Sequence, residues 1–170
     1  MFDLRPYQKP IAGKVFDYMR KNPGKHPLVA LPTGSGKTVV MSDIIQQAVT
    51  RWPGTRVLVL SHVREILRQN YKAIKYHTGM KVALNSAGLG RREKAQVTVA
   101  GIQSVYKKAF EFQNYELIII DECHLIPPSD TSMYRSFFAS IKKARYLGLT
   151  ATPFRLGSGK IYGQKDAMFD

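Results

Sequence analysis

Residues 32–38 read Pro32, Thr33, Gly34, Ser35, Gly36, Lys37 and Thr38. A glycine-rich loop ending in Lys and Thr turns its backbone N–H groups inward around phosphate groups. In such a loop Lys37 reaches the β- and γ-phosphates of a nucleotide, and the Thr38 hydroxyl ligates Mg²⁺. That chemistry needs a strand before the loop and a helix after it. Residues 28–31 are an apolar run, Leu-Val-Ala-Leu, and residues 36–49 carry Val40, Ile44, Ile45 and Ala48 at helical spacing. The start of that helix adds the positive end of its dipole to the anion site. The alternative is a flexible loop that contains Gly-Lys-Thr by chance, and the flanking strand and helix argue against it.

A second set of chemically capable residues lies near position 120. The run Leu117, Ile118, Ile119, Ile120 delivers Asp121, Glu122, Cys123 and His124 at its carboxyl end. An Asp at the tip of a strand beside the loop strand is the second Mg²⁺ handle of a nucleotide hydrolase, and Glu122 is placed to orient or deprotonate the attacking water. An Asp-Glu pair alone is a common exposed turn; an apolar strand and a phosphate loop in the same chain give it meaning. Cys123 reads as a small buried filler. His124 reads either as a surface or satisfied histidine or as a polar link to residues 150–152, which a parallel sheet would bring near.

The elements that must position these residues alternate short apolar runs with amphipathic stretches. Residues 57–60, 82–84, 97–100, 117–120 and 146–149 read as further strands, and residues 64–76, 101–105 and 131–141 as helices. Strands that are apolar on both faces and alternate with helices predict an α/β domain whose mostly parallel central sheet is covered by helices on both faces. Crossovers in such a sheet are right-handed, and ligands bind beyond the carboxyl ends of the strands, where both motifs fall. Residues 91–94, Arg-Arg-Glu-Lys, read as an exposed charged turn. The stretch 157–170, rich in Gly, Ser and Lys, reads as a linker without a strong element.

The chain of 170 residues is long enough for one domain with its own core. Lys and Arg number 26 against 12 Asp and Glu, a formal charge of +14, and such an excess favours a polyanionic partner, nucleic acid first. A single cysteine excludes an internal disulfide and a cysteine-based metal cluster. His26, His62, His77 and His124 have no metal-ligand spacing. The aliphatic run at 117–120 is far too short to span a bilayer, and the N-terminus has no apolar core of a signal peptide. A reducing, cytoplasmic setting without membrane attachment is the expectation.

Six segments in order, residues 4–8, 31–38, 59–69, 97–105, 121–124 and 149–155, resemble the first RecA-like, ATP-binding domain of superfamily 2 DEAD/DEAH-like helicases, with Asp-Glu-Cys-His as the acidic box. The Thr150-Ala151-Thr152-Pro153-Phe154-Arg155 ending and the Leu4-Arg5-Pro6-Tyr7-Gln8 start look more like phage and restriction-type DNA helicases than DEAD-box RNA helicases. Position 31 is Leu where the strict loop pattern has Gly; a loop with Gly34 instead is typical of helicases. The resemblance implies ATP and Mg²⁺ as cofactors. It implies that Gln8 reads adenine with Arg5 nearby, that Pro32 to Thr38 hold phosphate, and that His124, Thr150 and Thr152 couple the ATP site to the domain interface. Ser61, Arg64, Gln69, Gln103 and Ser104 then line the nucleic-acid groove, although relatives often have Thr at the position of Gly101. It further implies a helicase domain over 1–155, a linker or start of another region over 156–170, and a second RecA-like domain, with arginine fingers, elsewhere in the full-length chain. The isolated domain is expected to be monomeric and weakly active. Two rival classes stand beside this: another P-loop enzyme, such as a kinase or transport ATPase, for which no acceptor site, lid or Ser-Gly-Gly-Gln signature is found, and a non-catalytic basic scaffold.

Overall fold

The computed structural model describes residues 3–127, 132–155, 159–163 and 169–170. Seven strands form the central sheet: β1 (Leu28–Ala30), β2 (Val57–Ser61), β3 (Val82–Ser86), β4 (Arg91–Arg92), β5 (Val97–Gly101), β6 (Leu117–Asp121) and β7 (Arg145–Thr150). Their spatial order is β1-β7-β6-β2-β5-β3-β4, all parallel except the antiparallel edge pair β3–β4. The helices are α1 (Ile11–Lys21), α2 (Lys37–Arg51), α3 (Arg64–Thr78), the single turn α4 (Ile102–Val105) and α5 (Met133–Ser140). A 3₁₀ stretch, Tyr106–Phe112, continues from α4. The sheet is the mostly parallel α/β arrangement that the alternating pattern predicts, and it agrees with the RecA-like fold that the resemblance implies.

The central strands β2, β5, β6 and β7 are mostly apolar because alternate residues enter two separate cores. Val57, Val59, Val97, Val99, Leu117, Ile119, Leu147 and Leu149 pack with α1, α2 and α3. Leu58, Leu60, Ala100, Ile118, Ile120 and Tyr146 pack on the other face with α4, the 3₁₀ stretch and α5. Among the described residues no helix is long and apolar enough to cross a membrane.

Three expectations are corrected. The strand that carries Asp121 is not beside the loop strand: β7 lies between β1 and β6, pairing with both. Strand order follows from which crossovers pack best and is not written in chain order. Residues 91–94 are exposed as expected, but Arg91 and Arg92 form the short antiparallel edge strand β4 rather than a bare turn. The chain beyond Pro153 is not featureless either. Strands β8 (Phe154–Arg155) and β9 (Gly159–Lys160) pair antiparallel. Phe169 is buried, and a Cβ on Gly148 of β7 would lie 2.9 Å from its ring and 2.9 Å from Cys123 Sγ, so only glycine admits both neighbours. Asp170 then bonds back to the loop before β1, its carboxylate accepting from the backbone N–H of His26 at 2.8 Å. Thr131, the expected helix start, and residues 156–158 and 164–168 of the expected linker lie outside the described residues.

Candidate nucleotide site

The glycine-rich loop leaves β1 and enters α2 at Lys37. Gly34 and Gly36 both have left-handed backbone, φ 79° and 76°, which side chains disfavour. At Gly36 a Cβ would also lie 2.6 Å from Gln8 Nε2. Gln8 is buried beneath the loop: its Nε2 donates to the Ser35 carbonyl at 2.8 Å and its Oε1 accepts from the Arg5 N–H at 2.9 Å. The Tyr7 hydroxyl donates to the same Ser35 carbonyl at 2.7 Å, and the Arg5 guanidinium donates to the Tyr7 oxygen at 3.4 Å. The N-terminal segment therefore holds the loop from below. An amide has two donors and two acceptor sites, so these two bonds leave Gln8 one of each. Pro32, Thr33 and Gly34 are exposed, while Ser35 and Thr38 are partly covered.

Lys37 points at the carboxylates that end β6. Its ammonium is hydrogen-bonded to Glu122 Oε1 and stands 4.0 Å from Asp121 Oδ1. Asp121 is 4% exposed. Its Oδ2 accepts from Asn70 Nδ2 at 2.8 Å and its Oδ1 from the Glu122 N–H at 3.0 Å. Burial pushes the Asp121 carboxyl above its ordinary pKa, against the pull of Asn70 and Lys37. Glu122 has φ 52°, the one non-glycine residue with positive φ among those described. Left-handed backbone costs an ordinary residue ~1–2 kcal/mol, and strain of this kind collects where a side chain must be aimed for function. Glu122 Oε2 is buried and accepts no hydrogen bond among the described residues; His124 Nδ1 stands 3.3 Å away.

His124 and Thr150 are brought together, Nδ1 to Oγ1 at 2.8 Å. Thr150 Oγ1 gives its single proton to the Thr152 carbonyl and accepts from the Thr152 N–H, both at 3.1 Å. His124 Nδ1 stands between the Thr150 hydroxyl and the Glu122 carboxylate, 2.8 Å from the first and 3.3 Å from the second. Cys123, 1% exposed, has its thiol pushed up to about 12 by burial and the neighbouring carboxylates, which makes it inert filler.

Among the described residues no three His, Cys, Asp or Glu converge as a ready-made metal site. Mg²⁺ binds through one or two carboxylates and completes its shell with phosphate oxygens and water. The Lys37 ammonium facing Asp121 and the buried Glu122 oxygen beside a glycine-rich turn fit a Mg-nucleotide, which Thr38 and Asp121 would hold.

Of the five residues expected along the nucleic-acid groove, Ser61 ends β2, Arg64 and Gln69 lie in the first two turns of α3, and Gln103 and Ser104 lie in α4 just after β5; they differ in access. Arg64, Gln69 and Gln103 are exposed, with Gln103 Nε2 donating to the His62 carbonyl at 3.1 Å. Ser61 is fully buried, its hydroxyl accepting from the Val63 N–H at 3.3 Å, so it shapes the turn instead of facing solvent. Ser104 likewise accepts from the Ala87 N–H at 2.9 Å. At Gly101 a Cβ would lie 3.2 Å from Leu67 Cδ1, so a larger residue would crowd α3.

Asn70 was not anticipated, although its signal is legible. It shares the buried face of α3 with Leu67 and Ile74, and a polar residue in an apolar phase has to bond something inside.

A family model described as the type III restriction enzyme res subunit matches residues 1–155. The chain is 30% identical to the putative mitochondrial ATP-dependent helicase irc3 of Schizosaccharomyces pombe, covering 98% of this chain and 29% of that protein. It is also 30% identical to the DNA 3'-5' translocase XPB2 of Sulfurisphaera tokodaii, covering 90% of this chain and 31% of that one. The chain thus spans under a third of these relatives, 29% and 31% of their lengths. Among solved structures, the UvsW helicase from bacteriophage T4 aligns with TM-score 0.70 at 16% identity over 89% of this chain and 54% of that one. A nuclease-deletion mutant of the type ISP restriction-modification enzyme LlaGI, in complex with a DNA substrate mimic, aligns with TM-score 0.72 at 16% identity over 98% of this chain and 19% of that one. At that identity the two structures bear on the fold.

Proposed function

The chain belongs to the type III restriction enzyme res subunit family and is the N-terminal ATP-binding domain of a superfamily 2 helicase; from that premise we propose that it is the nucleotide-holding half of a motor that hydrolyses Mg-ATP while acting on nucleic acid, DNA in preference to RNA. The observation that carries the reading is Lys37 facing Asp121 and Glu122 across a loop braced by Gln8.

In this reading the loop N–H groups and Lys37 bind the phosphates, and Lys37 leaves Glu122 to do so. Thr38 and Asp121 hold Mg²⁺, which when bound neutralises phosphate charge. Glu122, released from Lys37, orients the attacking water and takes up its proton at Oε2, with His124 Nδ1 fixing the carboxylate. Arg5 and Gln8 face the base. Thr150 and Thr152 link His124 to the start of the second domain, which supplies the arginine fingers. Arg64, Gln69 and Gln103 touch the nucleic-acid backbone, and contacts of that kind position a strand without reading its sequence. DNA is favoured because XPB2 is a DNA 3'-5' translocase and the LlaGI structure is a complex with a DNA substrate mimic. Residues 156–170 are proposed as the passage toward the second domain.

The test is ATP turnover by the full-length protein with and without single- and double-stranded DNA. The account expects stimulation by DNA and its loss in Lys37→Ala, with salt-sensitive DNA binding retained. Turnover that ignores both DNA and RNA would point to a different P-loop enzyme.

A further inference from the structure

Helix α3 has two faces with different chemistry. Arg64, Arg68, Lys72 and Lys75 are all exposed and, at 100° per residue, cluster on one side of the helix along ~16 Å of its length. Among the described residues only Arg68 has an acidic partner, Glu65 at 3.8 Å, itself exposed. Asn70 lies ~200° around from Arg68, is 2% exposed, and donates to Asp121 Oδ2 at 2.8 Å. That bond joins residues 51 positions apart and is the one hydrogen bond that an α3 side chain makes to the acidic end of β6 among the described residues. A row of cations, three of the four without an acidic partner among the described residues, on the outside of a helix whose inside bonds a buried carboxylate is a physical connection between two surfaces.

We propose that α3 is the lever by which a bound nucleic-acid backbone acts on the ATP site: phosphates engage the Arg64, Arg68, Lys72 and Lys75 face, and Asn70 sets the orientation of Asp121. The proposal deepens the reading above and rests on it. Asn70 is a positioning residue, since it touches Asp121 and neither phosphate nor water. The four side chains carry charge at a spacing that follows a backbone, which makes the recognition sequence-independent. Helix α3 packs along α2, the helix that begins at Lys37. A small shift of α3 under phosphate load therefore changes how Asp121 faces Lys37 and Thr38. The coupling is reciprocal: a nucleic-acid strand that tightens Mg-nucleotide binding is itself bound more tightly in the presence of Mg-nucleotide.

The test is binding, not turnover. A fluorescent ATP analogue is titrated into this chain with and without Mg²⁺, and with and without a short single-stranded oligonucleotide. The oligonucleotide should tighten binding with Mg²⁺ by about fivefold or more. In Asn70→Ala that tightening should fall to about onefold, while oligonucleotide affinity and Mg²⁺-free nucleotide affinity stay as in the parent. The near-isosteric Asn70→Asp should lose the tightening in the same way, and Asn70→Gln, which keeps a donor, should recover part of it. Lys72→Gln with Lys75→Gln should weaken oligonucleotide binding and flatten its log–log salt slope by about 1.4, two phosphates' worth on a single strand. Tightening that survives both Asn70→Ala and Asn70→Asp overturns the lever, as does a salt slope unchanged by the lysine substitutions. Equal loss of Mg²⁺-free affinity in every Asn70 variant assigns Asn70 a structural role and also overturns it. If the parent chain binds no nucleotide in a Lys37-dependent way, it is the reading of the site that fails.

Discussion

Glu122 concentrates the chemistry at the residue scale. It is strained, half of its carboxylate is held by Lys37, and the other half accepts no hydrogen bond among the described residues. Glu122→Gln should keep Mg-nucleotide affinity within about twofold and lower turnover by ~10²-fold or more, as loss of a general base does; equilibrium binding and single-turnover hydrolysis measure the two separately. Cys123 gives a simpler check. With its thiol pushed up to about 12 by burial, the native chain should resist alkylation at neutral pH and react once unfolded in urea. His26 sets a pH dependence. Burial holds it below its ordinary value of 6.5, so the unfolded chain binds the extra proton and the contribution to stability is lost as pH falls from 6.5 through the folded value. The urea midpoint should drop between about pH 7.5 and about pH 5.5, and His26→Gln should make that drop shallower. At this scale Lys37, Asp121 and Glu122 were legible because their spacing after strands is itself the signal. Asn70 went unread because a lone polar residue in a helix does not announce its partner across 51 positions.

Elements tell a different story. Apolar runs located β2, β5, β6 and β7 to within a residue or two at either end, since strands buried on both faces have little freedom of composition. Helix α1 was missed: its buried residues are only Ala12, Val15 and Met19, spaced helically among exposed Lys and Arg. Strand adjacency was misread, because nothing in the order of β1, β6 and β7 states that the last of them is inserted between the other two. That insertion puts Thr150 beside His124, one strand from Asp121. The junction of β1 with α2 carries an element-scale prediction. Gly36→Ala meets both a positive φ and Gln8 Nε2 at 2.6 Å, and it should cost at least about 1 kcal/mol of stability together with most of the nucleotide affinity. Gln8→Ala removes the brace without the clash and should lower affinity with little change in melting temperature. Calorimetry and nucleotide titration distinguish the two.

At the scale of the whole molecule, the candidate site lies at the carboxyl ends of strands of the seven-stranded sheet, and the sequence carries a formal charge of +14. That charge predicts non-specific, salt-sensitive attachment to nucleic acid. What it should do by itself is hold Mg-nucleotide, and that is where the account is most exposed. Titration of a fluorescent ATP analogue into the chain and into Lys37→Ala, each with Mg²⁺ and with a chelator, tests it directly. Saturable binding that is strengthened by Mg²⁺ and lost in Lys37→Ala is the predicted result; binding indifferent to both Lys37 and Mg²⁺ would contradict the assignment of Lys37, Thr38, Asp121 and Glu122 as the nucleotide site.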